Sequence, residues 1–121
     1  MIVAGFGFRG CADGAACEAA LALAQRGYPR VEALAAPDDK AALLAPLAAA
    51  LGIPLIARPA ERLYGVATPT RSQPSLDARG TGSVAEASAL VAAGDGARLF
   101  SPRHISPDRM ATCAIAQGSS T

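Results

Sequence analysis

The chain has 121 residues, 51% of them hydrophobic but only 4% aromatic, with no tryptophan and with alanine at 30 positions. That length suits one domain, and its core must be shallow, because alanine buries little area beside leucine or phenylalanine. Eleven basic residues against ten acidic ones leave a formal net charge of +1. This excludes a general nucleic-acid binder, which needs a basic excess, and a disordered acidic hub.

Ten of the basic residues are arginine, and Lys40 is the only lysine. A GC-rich genome accounts for arginine alongside alanine, glycine and proline, whereas bidentate recognition of carboxylate or phosphate is the functional account. Composition does not separate them. Cys11, Cys17 and Cys113 lack any paired spacing and His104 is the sole histidine, so neither a structural metal site nor a disulfide framework is expected. No basic n-region leads into a long apolar run at Met1 and no stretch approaches a membrane span. A soluble, cytoplasmic protein without nucleic-acid or membrane partners is the expectation.

The first predicted element is a strand over Ile2 to Phe8, where β-branched and aromatic residues alternate with glycine. Asp13 is placed to cap a helix whose Cys17, Ala20, Leu21 and Ala24 share a face, and Gly27 stands where that helix would end. Val31 to Ala35 reads as a second strand. Asp38 or Asp39 then caps an Ala/Leu-rich helix closing at Leu51-Gly52, within which Pro46 demands a kink or a late start. Ile53 to Ala57 is a third strand, and Pro54 favours an edge position or a strand beginning there. From Gly65 to Gly82 the chain is rich in Thr, Ser, Pro, Arg and Gly and reads as loop. Ser83 and Glu86 have capping-box spacing, ahead of a helix running to Ala93-Gly94. Residues 97–100 and 112–116 form two more strands around a polar turn from Pro102 to Asp108. The fold class is α/β: a small three-layer α/β/α domain over residues 1–116, with a mostly parallel sheet, an antiparallel C-terminal edge, and a tail at 117–121.

Gly5-Phe6-Gly7-Phe8-Arg9-Gly10 fits GxGxxG between a strand and a helix, the setting in which backbone N–H groups and a helix dipole cradle a pyrophosphate. Glu32 comes too early for the expected acidic partner and Asp38 too late, so close packing, or an anionic group other than a dinucleotide, is preferred. A small dinucleotide-binding domain is the last-ranked alternative. Arg9 lies at the carboxyl end of the first strand, the usual ligand-facing edge. Thr68, Thr70, Arg71 and Ser72, with Arg79, Gly80, Thr81, Gly82 and Ser83, bring hydroxyls, guanidiniums and glycines ahead of a helix N-terminus. Turn and cap chemistry explains part of that segment, but loops of this length in small domains tend to be functional. Glu86 is first the cap partner and second the only nearby general-base candidate. His104 is expected to be an exposed turn residue.

Taken in order, several stretches resemble the cobalamin-biosynthesis CobE proteins and the C-terminal domain of CbiG. They are Gly5 to Gly10, Asp39-Lys40, Leu47 to Leu55, Gly80 to Gly94, Leu99 with Ser101-Pro102-Arg103, and Ala111 to Ala116, together spanning roughly residues 2 to 116. Arg103 stands where the family usually has lysine, and the family often has a further basic residue after Arg9. The resemblance implies a role on the route to the corrin ring, in a chain like the C-terminal module alone. Binding a precorrin or corrin intermediate, in the oxygen-dependent route, is the implied function. The alternative is a hydrolase opening a precorrin lactone, as in two-module relatives. Such ligands carry carboxylates around an apolar macrocycle, which suits Arg and Lys forks and helix N-termini beside small apolar walls. The ligand-binding candidates are therefore Gly5, Gly7, Arg9, Lys40, Thr70, Ser72, Gly80, Gly82, Ser83 and Arg103. The catalytic candidate is Glu86, with backbone N–H groups at Gly82 and Ser83 as oxyanion donors. No cofactor is expected; other cobalamin-pathway enzymes are possible partners, and oligomeric state is left open.

Overall fold

The computed structural model describes residues 2–8, 14–26, 30–38, 40–58, 84–94, 96–100, 104–107 and 110–118. Along the chain run β1 (Ile2–Phe8), α1 (Gly14–Ala24), β2 (Ala33–Pro37), a 3₁₀ turn (Ala41–Leu44), α2 (Ala45–Leu51), β3 (Leu55–Arg58), α3 (Val84–Ala93), β4 (Arg98–Leu99), β5 (His104–Ile105) and β6 (Ala111–Gln117). The strands form one mixed sheet in the order β3-β2-β1-β6-β4, with β5 also paired to β6. β1, β2 and β3 are mutually parallel, and β6 runs antiparallel to β1, β4 and β5.

Alternation along the strands divides the core in two. Ala4 and Phe6 of β1, Leu34 and Ala36 of β2, and Ala111, Cys113 and Ile115 of β6 point to the face covered by α1, the 3₁₀ turn and α2. Cys17, Ala20, Leu21 and Ala24 of α1 meet them there, the face expected from their spacing. Val3, Ala33 and Ala35 point to the opposite face, beneath Ala92 of α3. The three layers expected from the sequence are present. The second interface is almost all alanine, so dispersion there depends on close approach rather than on bulk.

Local chemistry accounts for the element ends. Pro46 stands in the first turn of α2, after the 3₁₀ turn, where its missing N–H costs nothing; the late start is the one realised. Gly52 ends α2 in the left-handed region (φ 69°), its N–H donating to Ala48 and Ala49 carbonyls. Gly94 (φ 101°) and Gly96 (φ 76°) turn the chain from α3 into β4. At the start of β1 the Ile2 N–H donates to Glu32 Oε1 at 2.8 Å and the Glu32 N–H returns to the Ile2 carbonyl, also at 2.8 Å. Glu32 is thus a sheet clip at the end remote from the strand carboxyl termini.

The sequence reading needs several corrections. β2 begins at Ala33 and reaches Pro37, two residues later than expected, because Asp38 is still tied to the sheet by its N–H to the Arg58 carbonyl (2.9 Å). The N-cap of the 3₁₀ turn is consequently Lys40, with no side-chain cap bond, and Asp38 does not cap it; Asp39 lies outside the described residues. The antiparallel C-terminal edge is present as expected, with β6 joining it to β1 and β4 outermost; β6 also includes Gln117, a residue expected in the tail. His104 is not an exposed turn residue. It belongs to β5 in register with Cys113, half-buried, with Nδ1 unpartnered. The Ser106 hydroxyl, accepting from the Ala111 N–H at 3.1 Å, closes that hairpin. The Gly65–Gly82 loop, Asp13 and Gly27 lie outside the described residues.

Candidate functional site at the carboxyl end of the sheet

The carboxyl ends of β1, β2 and β3 lie along one sheet edge, together with the first residues of antiparallel β6. Pairing of β1 with β2 ends at Gly5 and Ala35. β1 nevertheless stays paired with β6 out to Phe8 and Ala111, and β2 with β3 out to Pro37 and Arg58. The sheet therefore forks beyond Gly5, and a gap opens between β1 and β2 at the edge where α/β sheets receive ligands.

α3 is aimed at this fork. A Cβ at Gly5 would run into Ala85 O, Ala89 N and Ala89 Cβ, so the glycine lets the helix backbone lie directly on the strand. At Gly7 an added Cβ would meet Thr112 Oγ1 at 3.1 Å, Val84 Cβ at 3.2 Å and Ala85 N at 3.3 Å. Thr112 Oγ1 donates to the Gly7 carbonyl at 3.1 Å. The N-terminal turn of α3, with its positive dipole end, is thus seated over Gly7 and Thr112. Both glycines face α3 from within strand β1. Gly5 is fully used in packing, which leaves the dinucleotide fingerprint without its first glycine; Gly7 stays beside the site.

Two cations belong to the same edge. Lys40 is half-exposed just beyond β2, its N–H donating to the Pro37 carbonyl at 2.9 Å. Arg58 ends β3 in register with Pro37. Leu55 packs in the α1-side core and Ile56 in the α3-side core, so alternation puts the Arg58 side chain on the α3 face. The sequence reading missed Arg58. Its signal was a basic residue closing an apolar strand, a position as informative as that of Arg9. Glu86 is fully buried in the first turn of α3. It holds the third helical position, as a capping box with Ser83 requires, and there the helix dipole offsets part of the cost of burying a carboxylate. Arg9, Thr70, Ser72, Gly80, Gly82, Ser83 and Arg103 lie outside the described residues. Among the described residues no cluster of three His, Cys, Asp or Glu side chains is arranged to hold a metal ion, and no helix is long and apolar enough to cross a membrane.

Residues 2–116 match the sequence profile of the family described as Cobalamin synthesis G C-terminus. The chain belongs to this cobalamin-biosynthesis family. It is similar to the crystal structure of CobE, a protein from the cobalamin (vitamin B12) biosynthetic pathway, at 29% identity and TM-score 0.83, covering 96% of this chain and 89% of that one. It is also similar to the cobalamin biosynthesis protein chiG from Agrobacterium tumefaciens str. C58, at 40% identity and TM-score 0.72, covering 99% and 100%. A cobalamin biosynthesis protein G homologue from Sulfolobus solfataricus shares the fold at 19% identity and TM-score 0.72; 95% of this chain matches 36% of that one. Comparison with curated protein sequences gave no match. The CobE and CbiG C-terminal likeness drawn from sequence motifs is thereby established, along with the α/β fold.

Proposed function

We propose that this CbiG C-terminal-family domain binds a precorrin or corrin intermediate, in the oxygen-dependent route, at the forked carboxyl edge of its sheet. The observation that carries the reading is the convergence there of the α3 N-terminus, Gly7, Thr112, Lys40 and Arg58 on a gap between two strands. A ligand rimmed with carboxylates requires several separated donors around a surface of small residues. Arg58 can engage one carboxylate bidentately, Lys40 can meet another as a point charge, and the helix end can accept a third. Arg9, Ser72, Ser83 and Arg103 are assigned to the same edge from the sequence. Partners among other cobalamin-pathway enzymes fit a protein that holds and passes on an intermediate.

The hydrolase reading would use Glu86 as base toward a lactone. Its placement as third residue of α3 already answers to the cap role, so binding without turnover is the preferred reading. Titration with hydrogenobyrinic acid, followed by absorbance and by ligand mass, tests it. Saturable binding with unchanged mass is expected. A mass change would make the protein an enzyme, and absence of binding would overturn the proposal.

A further inference from the structure

We infer that Pro37 is a positioning residue: it wedges β2 away from β1 and so keeps the ligand gap between them open. This rests on the corrin-intermediate reading and gives a role at that site to a residue that acts without touching the ligand.

Along a strand every second residue turns its N–H and C=O toward the same neighbour. In β2 the Leu34 N–H donates to the Pro54 carbonyl at 3.0 Å and the Asp38 N–H to the Arg58 carbonyl at 2.9 Å. Leu34, Ala36 and Asp38 therefore face β3, whereas Ala33, Ala35 and Pro37 face β1. In β1 the Ile2 N–H and carbonyl both meet Glu32, just ahead of β2, while the Gly7 carbonyl accepts from Thr112 of β6. Ala4, Phe6 and Phe8 therefore face β2. Extending the register from Gly5 and Ala35 by two residues sets Pro37 opposite Gly7. The next rung of the ladder would run from an N–H at position 37 to the Phe6 carbonyl, and from the Phe8 N–H to the carbonyl of residue 37.

The first half of that rung cannot form, because proline has no N–H and its ring stands where the hydrogen would be. The second half competes with Lys40, whose N–H donates to the Pro37 carbonyl at 2.9 Å. Pairing between β1 and β2 stops accordingly at Gly5 and Ala35, although β1 runs on against β6 to Phe8 and β2 against β3 to Arg58. Proline within a sheet is ordinarily confined to edge strands, strand starts and bulges. β2 is an interior strand between β1 and β3, and Pro37, its last residue, is fully buried and turned toward a neighbour. A proline there is unfavourable for the ladder and suited to an opening in it. The same residue also seats a cation of the site: a closed ladder would draw the carbonyl at position 37 toward Phe8 and away from Lys40. Width of the gap and placement of Lys40 thus depend on one side chain.

The test is Pro37→Val on the full chain, which restores an N–H on a strand-forming residue. Two readouts are taken: hydrogen exchange at the amide introduced at position 37, and affinity for hydrogenobyrinic acid. The expected result is an amide protected to the level of the Ala35 amide, because the fork has zipped, together with affinity lowered about tenfold or more. A freely exchanging amide overturns the inference, since β2 would then part from β1 without the proline. A protected amide with wild-type affinity overturns it too, while leaving the corrin-binding reading intact. Failure of the wild type itself to bind overturns both. A purely structural proline would instead lower the melting temperature and leave affinity unchanged. Pro37→Ala, whose smaller side chain cannot crowd the buried position, is measured alongside with the same expectation. If neither variant folds, the ring serves the core rather than the fork, and the inference fails.

Discussion

Gly5→Ala isolates the contact on which the arrangement of layers depends. Gly5 is not in the left-handed region, where among the described glycines only Gly52, Gly94 and Gly96 are found, so the effect of a methyl group is chiefly steric. The new Cβ would lie 2.8 Å from Ala89 Cβ and closer still to Ala85 O and Ala89 N. Ordinary carbon contacts begin near about 3.5 Å, so α3 must lift by about 0.7 Å for the methyl pair alone, and further for the backbone atoms. Overpacking against side chains that can yield costs about 1–3 kcal/mol. Here the obstructing atoms are helix backbone, and the lift also loosens Ala92 from Val3, Ala33 and Ala35, so about 3 kcal/mol or more is expected. In a domain whose whole stability is about 5–15 kcal/mol, that lowers the melting temperature by about 10 °C or more. Gly7→Ala is the internal control. Its nearest neighbours are at 3.1–3.3 Å and include a rotatable hydroxyl, and the entropy gain of Gly→Ala offsets part of the strain, so about 1 kcal/mol or less is expected. Thermal and urea unfolding of both variants provide the assay. A Gly5→Ala melting temperature within about 3 °C of wild type would refute the close-packing account. Lost ligand binding at unchanged stability would return Gly5 to the ligand site.

Arg58→Gln is expected to weaken hydrogenobyrinic acid binding about tenfold, whereas Arg98→Gln, at the opposite end of the sheet beside Gln117, leaves the titration unchanged. Glu86→Gln keeps the side-chain shape but removes the anion from the first turn of α3; unfolding midpoints should report about 1–2 kcal/mol lost, while affinity stays near wild type. The Cys113 thiol is held well above its ordinary value of 9.0 by burial and, secondarily, by Cys17. Folding thus favours the protonated thiol: its contribution is complete below about pH 9 and declines above it, as the unfolded chain ionises. Urea midpoints between about pH 7.5 and 10.5 should show this alkaline decline in a Cys11→Ser background and a smaller one after adding Cys113→Ala.

Much of the layer pattern was legible because it depends on local periodicity. The α1 face was readable from Cys17, Ala20, Leu21 and Ala24, and Pro46 announced a kink or a late start, of which α2 takes the second. The antiparallel pairing of β6 with β4 was legible too, but its pairing with β1 was not, because that is a choice among long-range partners that alternation along one strand does not encode. β5 was hidden for a related reason. Two residues flanked by proline and polar positions carry no period, and His104-Ile105 becomes a strand only because Cys113 and Thr112 pair with it. At the site, GxGxxG was read with two meanings left open, and the difference between them is tertiary: which helix lies over Gly5. Arg58 escaped notice because it is an ordinary residue until strand register places it at the fork.

The alanine content, first a sign of a shallow core, also bears on where the site can form. Large side chains between α3 and the sheet would hold the helix off the strands, at the roughly 10 Å spacing usual between packed layers. With Gly5 beneath Ala85 and Ala89, the helix instead rests on β1, and its first turn comes down at the level of Gly7 and Thr112. The same proximity brings the dipole end of α3 to the edge where β1 parts from β2 and where Arg58 ends β3. A bulky core on this face would separate the helix end from those strand ends and leave each donor alone. Small residues therefore do more here than fill space: they set the distance between the helix end, the strand carboxyl ends and the cations on which the proposed polycarboxylate site depends.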